Sequence, residues 1–317
     1  MGSQTLGILI ALAGFAVYAL HDVIIKLLGG SYAPVQIVFF SVLFAFPLTT
    51  MMLIGDPAPA TLRPVHPWWM AVRTVAVVVA SVSAFYAFSV LPLADTYAIL
   101  FAMPILVTLL AVPMLGETVR LRRGIAIVVG LVGVVVVLRP GEAELTLGHA
   151  AALVGATCSA LAATIVRKTG RDERSVGLLI YPTLGTFALM GVALPFFYHP
   201  MEGLHLAMNA LLAVLAFSAM LMMIEAYKRT EAALVAPMQY SQILWAILYG
   251  WLIFDELPGP STAIGVALII ASGLYIVFRE ARGGASQNRP VLETRSRAAT
   301  PGIPRVGFGL RRFGRTR

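Results

Sequence analysis

The sequence has little charge and almost no cysteine. Only 12% of its 317 residues are Asp, Glu, Lys or Arg, whereas 59% are hydrophobic. An ordinary soluble domain is about one quarter charged, so this composition excludes a soluble protein with polar surface helices. The single cysteine, Cys158, excludes a disulfide framework and a cysteine metal cluster within one chain.

Several chemical motifs are also missing. The chain has no GxxxxGK[ST] loop, which argues against ATP hydrolysis as its source of energy. It has neither an HExxH zinc motif nor the paired aspartates with which membrane prenyl-transfer enzymes hold Mg²⁺ and diphosphate. We therefore expect no metal, no cofactor and no enzymatic activity, and a membrane enzyme is kept only as an alternative.

Long apolar runs fill most of the chain. Each is close to the ~20 residues that a helix needs to cross a hydrocarbon core, and the period-2 alternation of half-buried strands is missing. The sequence predicts an all-α integral membrane protein with ten transmembrane helices, at 6–28, 35–54, 67–91, 97–115, 123–138, 148–167, 176–198, 205–227, 233–253 and 260–278.

Basic residues are unevenly distributed between the two sides of these spans. Lys26 and Arg139 lie at or near the loops on one side, and the other side holds Arg63, Arg120, Arg122, Arg123, Arg167, Lys168, Arg171, Arg174, Lys228 and Arg229. Because cytoplasmic loops retain Lys and Arg, both termini are predicted to be cytoplasmic in a bacterial inner membrane. Residues 281–317 read as a disordered basic tail that can contact anionic lipids, and a nucleic-acid role is not favoured.

The two halves of the chain resemble each other. Residues 6–29 align without a gap on residues 147–170, so that Gly14 matches Gly155 and Lys26 matches Arg167. Further along, the stretch ending in Gly116 and Glu117 corresponds to the one ending in Asp255 and Glu256. Since each half holds five predicted spans, an odd number, the second half enters the membrane from the opposite face. Inverted repeats of this kind are typical of secondary transporters that work by alternating access.

These halves resemble the two copies of the EamA domain of the drug/metabolite transporter superfamily. The resemblance is carried by Glu117 and Glu256 at the ends of helices, by Pro104 inside the fourth span and by the glycine-rich helices that follow. It covers 6–279 and divides the chain into repeats at 1–140 and 141–280. It implies a central cavity and transport of small organic molecules such as amino acids, riboflavin or S-adenosylmethionine. A small-molecule sensor in the membrane is the alternative, and a homodimer is left open.

Ionisable groups at membrane depth are costly, at about 2.5–3.5 kcal/mol for an Asp on insertion scales, so each needs an explanation. His21 and Asp22, two-thirds of the way along the first span, are the candidates for proton coupling. Two other interpretations stay open: Asp22 pairs with Lys26 one turn away, and His21 is a hydrogen-bonded structural group.

Other polar and aromatic groups are expected to contact the solute, or else to make bonds between helices or lie at the membrane interface: Tyr18, Tyr86, Tyr97, Gln239, Tyr240 and Gln242. Glu117 and Glu256 are gating or structural candidates, and Pro104 is expected to kink the fourth span. Glu225 either pairs with Arg229 or lines an inner gate. Arg73 is expected to extend its side chain to the cytoplasmic surface.

Overall fold

The computed structural model of the chain describes residues 3–54, 64–116, 121–139, 145–170, 172–173, 175–230 and 232–282. All regular secondary structure in these ranges is helical. The helices are α1 (Ser3–Gly29), α2 (Pro34–Ile54), α3 (Pro67–Val90), α4 (Leu93–Leu100), α5 (Met103–Leu115), α6 (Leu121–Leu138), α7 (Leu147–Thr169), α8 (Ser175–Phe197), α9 (Gly203–Arg229), α10 (Ala232–Val235), α11 (Ser241–Phe254) and α12 (Pro260–Arg282), with a 3-10 turn at Ala236–Tyr240 between α10 and α11.

Six helical stretches in the described ranges are long and apolar enough to cross a membrane: Gln4–Gly29, Pro67–Val90, Leu93–Leu115, Leu147–Thr169, Gly177–Phe197 and Gly203–Arg229. Three apolar helices are shorter, at Pro34–Thr50, Gly124–Leu138 and Pro260–Ile276. The count of ten spans therefore stays a prediction.

Two predicted boundaries need correction. The fourth span was expected to begin at residue 97, but α4 begins at Leu93, directly after Pro92, with Asp95 in its first turn. Proline suits the start of a helix, where a missing N–H costs nothing, and an acidic residue there complements the helix dipole. The basic tail was expected from residue 281, but α12 continues to Arg282. The rest of the predicted tail lies outside the described residues.

Helices pack mainly across the two halves of the chain. α1 lies along α9, α7 lies along α3, and α6 lies along α12. The close approaches use corresponding glycines: a β-carbon on Gly14 would lie 3.6 Å from the carbonyl oxygen of Ala219, and one on Gly155 would lie 3.6 Å from that of Ala80. The packing of α1 on α9 thus mirrors the packing of α7 on α3.

Side-chain contacts identify the two ends of the bundle. At one end, called end A, Lys26 Nζ of α1 donates to Glu256 Oε1 (2.6 Å) after α11 and to the carbonyl oxygen of Leu91 (2.8 Å) after α3. Also at end A, the Tyr32 hydroxyl is 2.9 Å from His205 Nδ1 at the start of α9. End A therefore joins the C-terminal ends of α1, α3 and α11.

The opposite end, called end B, holds the C-terminal ends of α5, α7 and α9. Lys168 Nζ donates to the carbonyl oxygen of Met114 (3.2 Å), which connects α7 to α5. The Thr230 hydroxyl donates to the carbonyl oxygen of Gln4 (3.1 Å), which connects the end of α9 to the beginning of α1.

Candidate functional site

Two helices are interrupted within the bundle, at positions that correspond in the two halves. α4 ends at Leu100 and α5 begins at Met103, while the 3-10 turn ends at Tyr240 where α11 begins. Pro104 lies in the first turn of α5, and Pro237 lies in the first turn of the 3-10 segment. Proline lacks the N–H that would continue a helical ladder, which accounts for both interruptions.

The two interruptions meet each other. The rings of Phe101 and Tyr240, which cap α4 and α11, lie 5.5 Å apart at 62°. Counting back from Glu117 and Glu256, these two residues are also counterparts in the internal repeat. Their contact therefore lies where the two halves of the bundle meet.

A buried polar cluster adjoins this contact. Asp22 is fully buried, His21 Nδ1 lies 2.8 Å from its Oδ1, and the Tyr97 hydroxyl donates to its Oδ2. The alternative in which Asp22 pairs with Lys26 is wrong, because Lys26 pairs with Glu256 instead. The sequence placed His21, Asp22 and Tyr97 on a list of candidates, and the fold brings the three into direct contact.

Aromatic rings surround the cluster. Phe88 and Phe101 lie 5.2 and 5.7 Å from the Tyr97 ring, and Phe85 meets the His21 ring edge-on at 6.2 Å. Tyr97 is only 2% exposed, so its interpretation as an interfacial residue is wrong. Sequence reasoning missed the phenylalanines, because nothing in an apolar run distinguishes a ring that faces the interior from one that faces lipid.

The N-terminal turn of α11 supplies a second polar group. Gln242 is 1% exposed, and its Nε2 has no hydrogen-bond partner among the described residues. The Oγ of the neighbouring Ser241 is also buried and also has no hydrogen-bond partner among the described residues. Leaving a buried donor without a partner costs about 1–3 kcal/mol, so such groups need an explanation. Ser241 was missed from sequence, since a serine in a transmembrane helix usually bonds to its own backbone.

The remaining solute candidates are distributed around this centre. Gln239 is half-buried in the 3-10 turn, so it does not share the α-helical register of Gln242 on which the predicted common face depended. Tyr18 is buried in a separate cluster with Met223 of α9. Tyr86 is half-buried on α3.

An ion pair joins the two halves at end A. Glu256 Oε1 accepts a hydrogen bond from Lys26 Nζ, and Glu256 Oε2 lies 3.4 Å from the backbone nitrogen of Leu93. The Lys26 ammonium also lies 4.9 Å from the centre of the Phe254 ring. Lys26 and Glu256 each appeared in the sequence analysis, but only the fold shows that they meet, because they come from different repeats.

At end B the corresponding acidic residue, Glu117, lies outside the described residues. The chain leads to it from Met114, which Lys168 contacts. Glu225 pairs within its own helix with Arg229 at 2.7 Å and with Lys228 at 3.6 Å. Of the two interpretations of Glu225, the structure contains the ion pair with Arg229.

Arg73 departs from expectation. It was predicted to extend to the surface, but it is 2% exposed and donates from Nη1 to the carbonyl oxygen of Leu178 on α8. α8 packs against this part of α3, so the guanidinium is covered by a neighbouring helix.

The two ends of the bundle are not equivalent. At end A, Gly29 of α1 is so close to α3 that a β-carbon on it would lie 3.0 Å from Ser89 Cα. Among the described residues α1 packs against α3, whereas α7 and α9 have at most marginal contact. The helices of the bundle therefore pack more closely at end A than at end B.

Long apolar helices with a buried polar cluster in their interior and an ion pair at one end define a multi-pass helical membrane protein. The sequence model of the EamA-like transporter family matches the chain twice, at residues 5–139 and 146–278. The chain therefore belongs to the EamA-like transporter family.

Relatives of the chain have transporter names. The chain is 25% identical over 274 residues to an S-adenosylmethionine uptake transporter of Rickettsia prowazekii, covering 85% of this chain and 92% of the relative. It is 28% identical over 251 residues to a riboflavin transporter of Rhizobium johnstonii, covering 77% and 79%. A crystal structure of a protein 20% identical to the chain superposes with a TM-score of 0.56, covering 89% of this chain and 99% of that one, which shows a shared fold. These names point to a transporter rather than an enzyme.

Proposed function

We propose that this protein is a secondary carrier that moves a small organic solute across a bacterial inner membrane by alternating access. In this proposal ten spans form two inverted five-helix repeats. End B faces the cytoplasm, because its loops contain most of the basic residues. The solute binds between the repeats, next to the polar cluster around Asp22.

The observation that carries the proposal is the unequal packing of the two ends. A pair of inverted repeats can exchange conformations, so a bundle closed at one end in one state is closed at the other end in the second state. Here α1 and α3 are in close contact at Gly29 and Ser89, whereas α7 and α9 have at most marginal contact in the described part of the chain. This asymmetry fits one of two alternating states, the one that opens toward end B.

Ion pairs stabilise the closed ends in this mechanism. The Lys26–Glu256 pair closes end A. Repeat alignment gives Arg167 and Glu117 as the corresponding residues at end B, and the contact of Lys168 with Met114 brings α7 close to the chain that leads to Glu117. We propose that these two residues pair when end B closes and the Lys26–Glu256 pair opens.

Coupling to protons is assigned to Asp22 and His21. Asp22 is a fully buried carboxylate that the movement of the surrounding helices can expose, and the His21 imidazole 2.8 Å from it is a second group able to carry a proton. Tyr97 positions the carboxylate through its hydroxyl. Tyr18, Tyr86, Gln239, Tyr240 and Gln242 are the solute contacts in the proposal.

The test is uptake by proteoliposomes that contain the purified full chain. Amino acids, riboflavin, S-adenosylmethionine and polyamines would be offered with and without a pH gradient, because relatives carry two of these names. Saturable uptake of one class supports a carrier, and dependence on the gradient supports proton coupling. Ligand binding without movement of any solute would overturn the proposal and favour a sensor.

A further inference from the structure

We propose that the short helix α4 links the closure of end A to the buried carboxylate. Thr262 holds Asp95 in the first turn of α4, and α4 in turn keeps Tyr97 against Asp22. Thr262 and Asp95 are positioning residues in this proposal, since they act on Asp22 through α4 and not by contact with the solute. The inference rests on the proposed function, because it concerns the carboxylate to which proton coupling is assigned.

Helix α4 is a short and separate piece of helix. It follows Pro92, and it ends just before the interruption at which α5 begins. Its eight residues are about 12 Å long at 1.5 Å per residue. All of its side chains except that of Asp95 are buried. A helix of two turns keeps its internal geometry, so a displacement of its first turn displaces its second turn as well.

The first turn of α4 is held by the second half of the chain. Thr262 Oγ1, in the first turn of α12, donates to Asp95 Oδ1 at 2.7 Å, and Thr262 is 1% exposed. Arg139 Nη2, at the end of α6, donates to the same Thr262 oxygen at 3.4 Å. Because a guanidinium has only donors, Thr262 accepts from Arg139 and keeps its own hydrogen for Asp95. Three helices therefore meet at this hydroxyl.

Arg139 reaches Thr262 through an unusual backbone conformation. Its φ is 44°, in the left-handed region that residues other than glycine enter at a cost. Its guanidinium lies against the chain between α11 and α12, where a β-carbon on Gly259 would be 2.6 Å from Nη2. The left-handed turn and the glycine thus both allow Arg139 to contact Thr262.

The second turn of α4 contacts the buried carboxylate. Two residues along a helix are about 200° apart around its axis, so Asp95 and Tyr97 point in nearly opposite directions. Asp95 faces α12, whereas Tyr97 faces α1 and its hydroxyl donates to Asp22. Among the described residues α1 and α4 otherwise have at most marginal contact. The bond between Tyr97 and Asp22 is therefore sensitive to a shift of α4.

The three residues of this link all have apolar counterparts in the second half. By the alignment of the repeats, Asp95, Tyr97 and Asp22 correspond to Leu234, Ala236 and Ala163. Apolar side chains cannot donate or accept these hydrogen bonds. The bond at the first turn and the bond to the carboxylate are thus both specific to the first half, as expected if they serve one purpose.

Asp22 contacts two titratable groups, His21 and Tyr97. Helix α1 packs against α2, α3, α9, α10, α11 and the 3-10 turn. The other titratable side chains in α1, α4 and these segments are Tyr18, Lys26, Arg73, Tyr86, Asp95, His205, Glu225, Tyr227, Lys228, Arg229, Tyr240 and Tyr249. Of these, Lys26 is committed to Glu256. A displacement of Tyr97 is therefore expected to change the reactivity of Asp22 directly.

The experiment measures the reactivity of Asp22 in the full chain in detergent. Dicyclohexylcarbodiimide, an apolar reagent for protonated carboxyl groups, is added, and mass spectrometry follows the modification of Asp22. This residue is fully buried, so its reaction in the parent chain is expected to be slow. Thr262→Val keeps the shape of the side chain but removes the hydroxyl, and should raise the rate roughly fivefold. Thr262→Ser keeps the hydroxyl and should stay within about twofold of the parent chain.

A double-variant cycle separates transmission through α4 from a general loosening of the bundle. Tyr97→Phe removes the bond to Asp22 itself and should raise the rate at least as much as Thr262→Val. If α4 transmits the effect, the double variant reacts at the rate of Tyr97→Phe alone, whereas independent effects multiply. The control Thr164→Val removes another buried hydroxyl, which donates to Ala160 in its own helix, and should leave the rate unchanged.

A second variant breaks the same bond from the side of α4. Asp95→Ala should raise the rate as Thr262→Val does, and it replaces Thr262→Val if that chain does not fold. Each variant is checked for an unchanged elution volume in size exclusion. Rates that multiply in the cycle, or a parent rate in the folded variants, would overturn the inference.

Uptake distinguishes the failure of this inference from the failure of the proposed function. The expected pattern of Asp22 modification in a chain that moves none of the solutes offered would support the link through α4 and count against the carrier. Gradient-driven uptake by the parent chain, together with an unchanged Asp22 reaction rate in Thr262→Val, would leave the carrier standing and overturn the link.

Discussion

Breaking the Lys26–Glu256 pair should open end A. In Lys26→Ala the ammonium that contacts both Glu256 and the Leu91 carbonyl is lost. Hydrogen bonds to charged groups contribute about 1.5–3 kcal/mol each when well shielded. The Lys26 and Glu256 side chains are 11% and 29% exposed, so water screens part of this energy, and about 1.5 kcal/mol is a reasonable total. That energy corresponds to a roughly tenfold rise in the equilibrium constant for opening.

Thiol accessibility measures this change. Cys158 is the single native cysteine, so a Cys158→Ala background with Ala94→Cys places one reactive thiol at end A. Ala94 is 6% exposed and follows Leu93, whose backbone nitrogen faces Glu256. The rate of its reaction with a hydrophilic maleimide in detergent should rise about tenfold in Lys26→Ala, in proportion to the open fraction.

Two controls accompany the measurement. Exchanging the charges, with Lys26→Glu and Glu256→Lys together, should return the rate toward the starting value, while either change alone should not. Glu225→Gln removes an exposed pair within α9 and should leave the rate unchanged, because water screens an exposed pair and this one joins no separate helices. An unaltered rate in Lys26→Ala, or no recovery in the exchanged variant, would refute the role of the pair as a closure.

Two further predictions concern the interior. Asp22→Asn should abolish the dependence of uptake on a pH gradient while the protein stays in the membrane. The control Asp172→Asn, which changes a side chain that is 62% exposed, should leave that dependence intact. Normal gradient dependence in Asp22→Asn would refute the assignment of proton coupling to Asp22. Gly133→Leu should lower stability by about 1–3 kcal/mol, because a β-carbon on Gly133 would already lie 2.9 Å from the Gly265 carbonyl oxygen. Thermal unfolding in detergent would show the loss, and Gly203→Leu, at a glycine with open space around it, should have little effect.

Helix positions were predictable because each apolar run has nearly the length of a span, and the structure has a helix within every predicted segment. The start of α4 was not predictable, because the sequence of Leu93–Thr96 fits the end of a loop equally well. The close approach of Phe101 and Tyr240 could in principle have been found from the repeat, because counterparts can meet where the halves join. It was not found, because Phe101 is not unusual in its own apolar segment and Tyr240 was considered only as a solute contact.

Pairing between distant residues was harder to predict than position. Lys26 has Asp22 one turn away in its own helix, so local spacing favours that pair. In the fold, Lys26 instead pairs with Glu256, and Asp22 accepts a hydrogen bond from Tyr97 on α4. Arg73 was misjudged for a similar reason: the sequence shows its distance from the predicted interface but not that α8 covers it.

The packing of α1 on α9 and of α7 on α3 also bears on biosynthesis. When the ribosome has made only the first half, α1 and α3 lack the helices against which they mainly pack, and the surface around Gly14 faces lipid. The main packing of α1 and α3 can therefore form only after α9 and α7 have been inserted. The packing seen in the structure can therefore be completed only after the second half has been made.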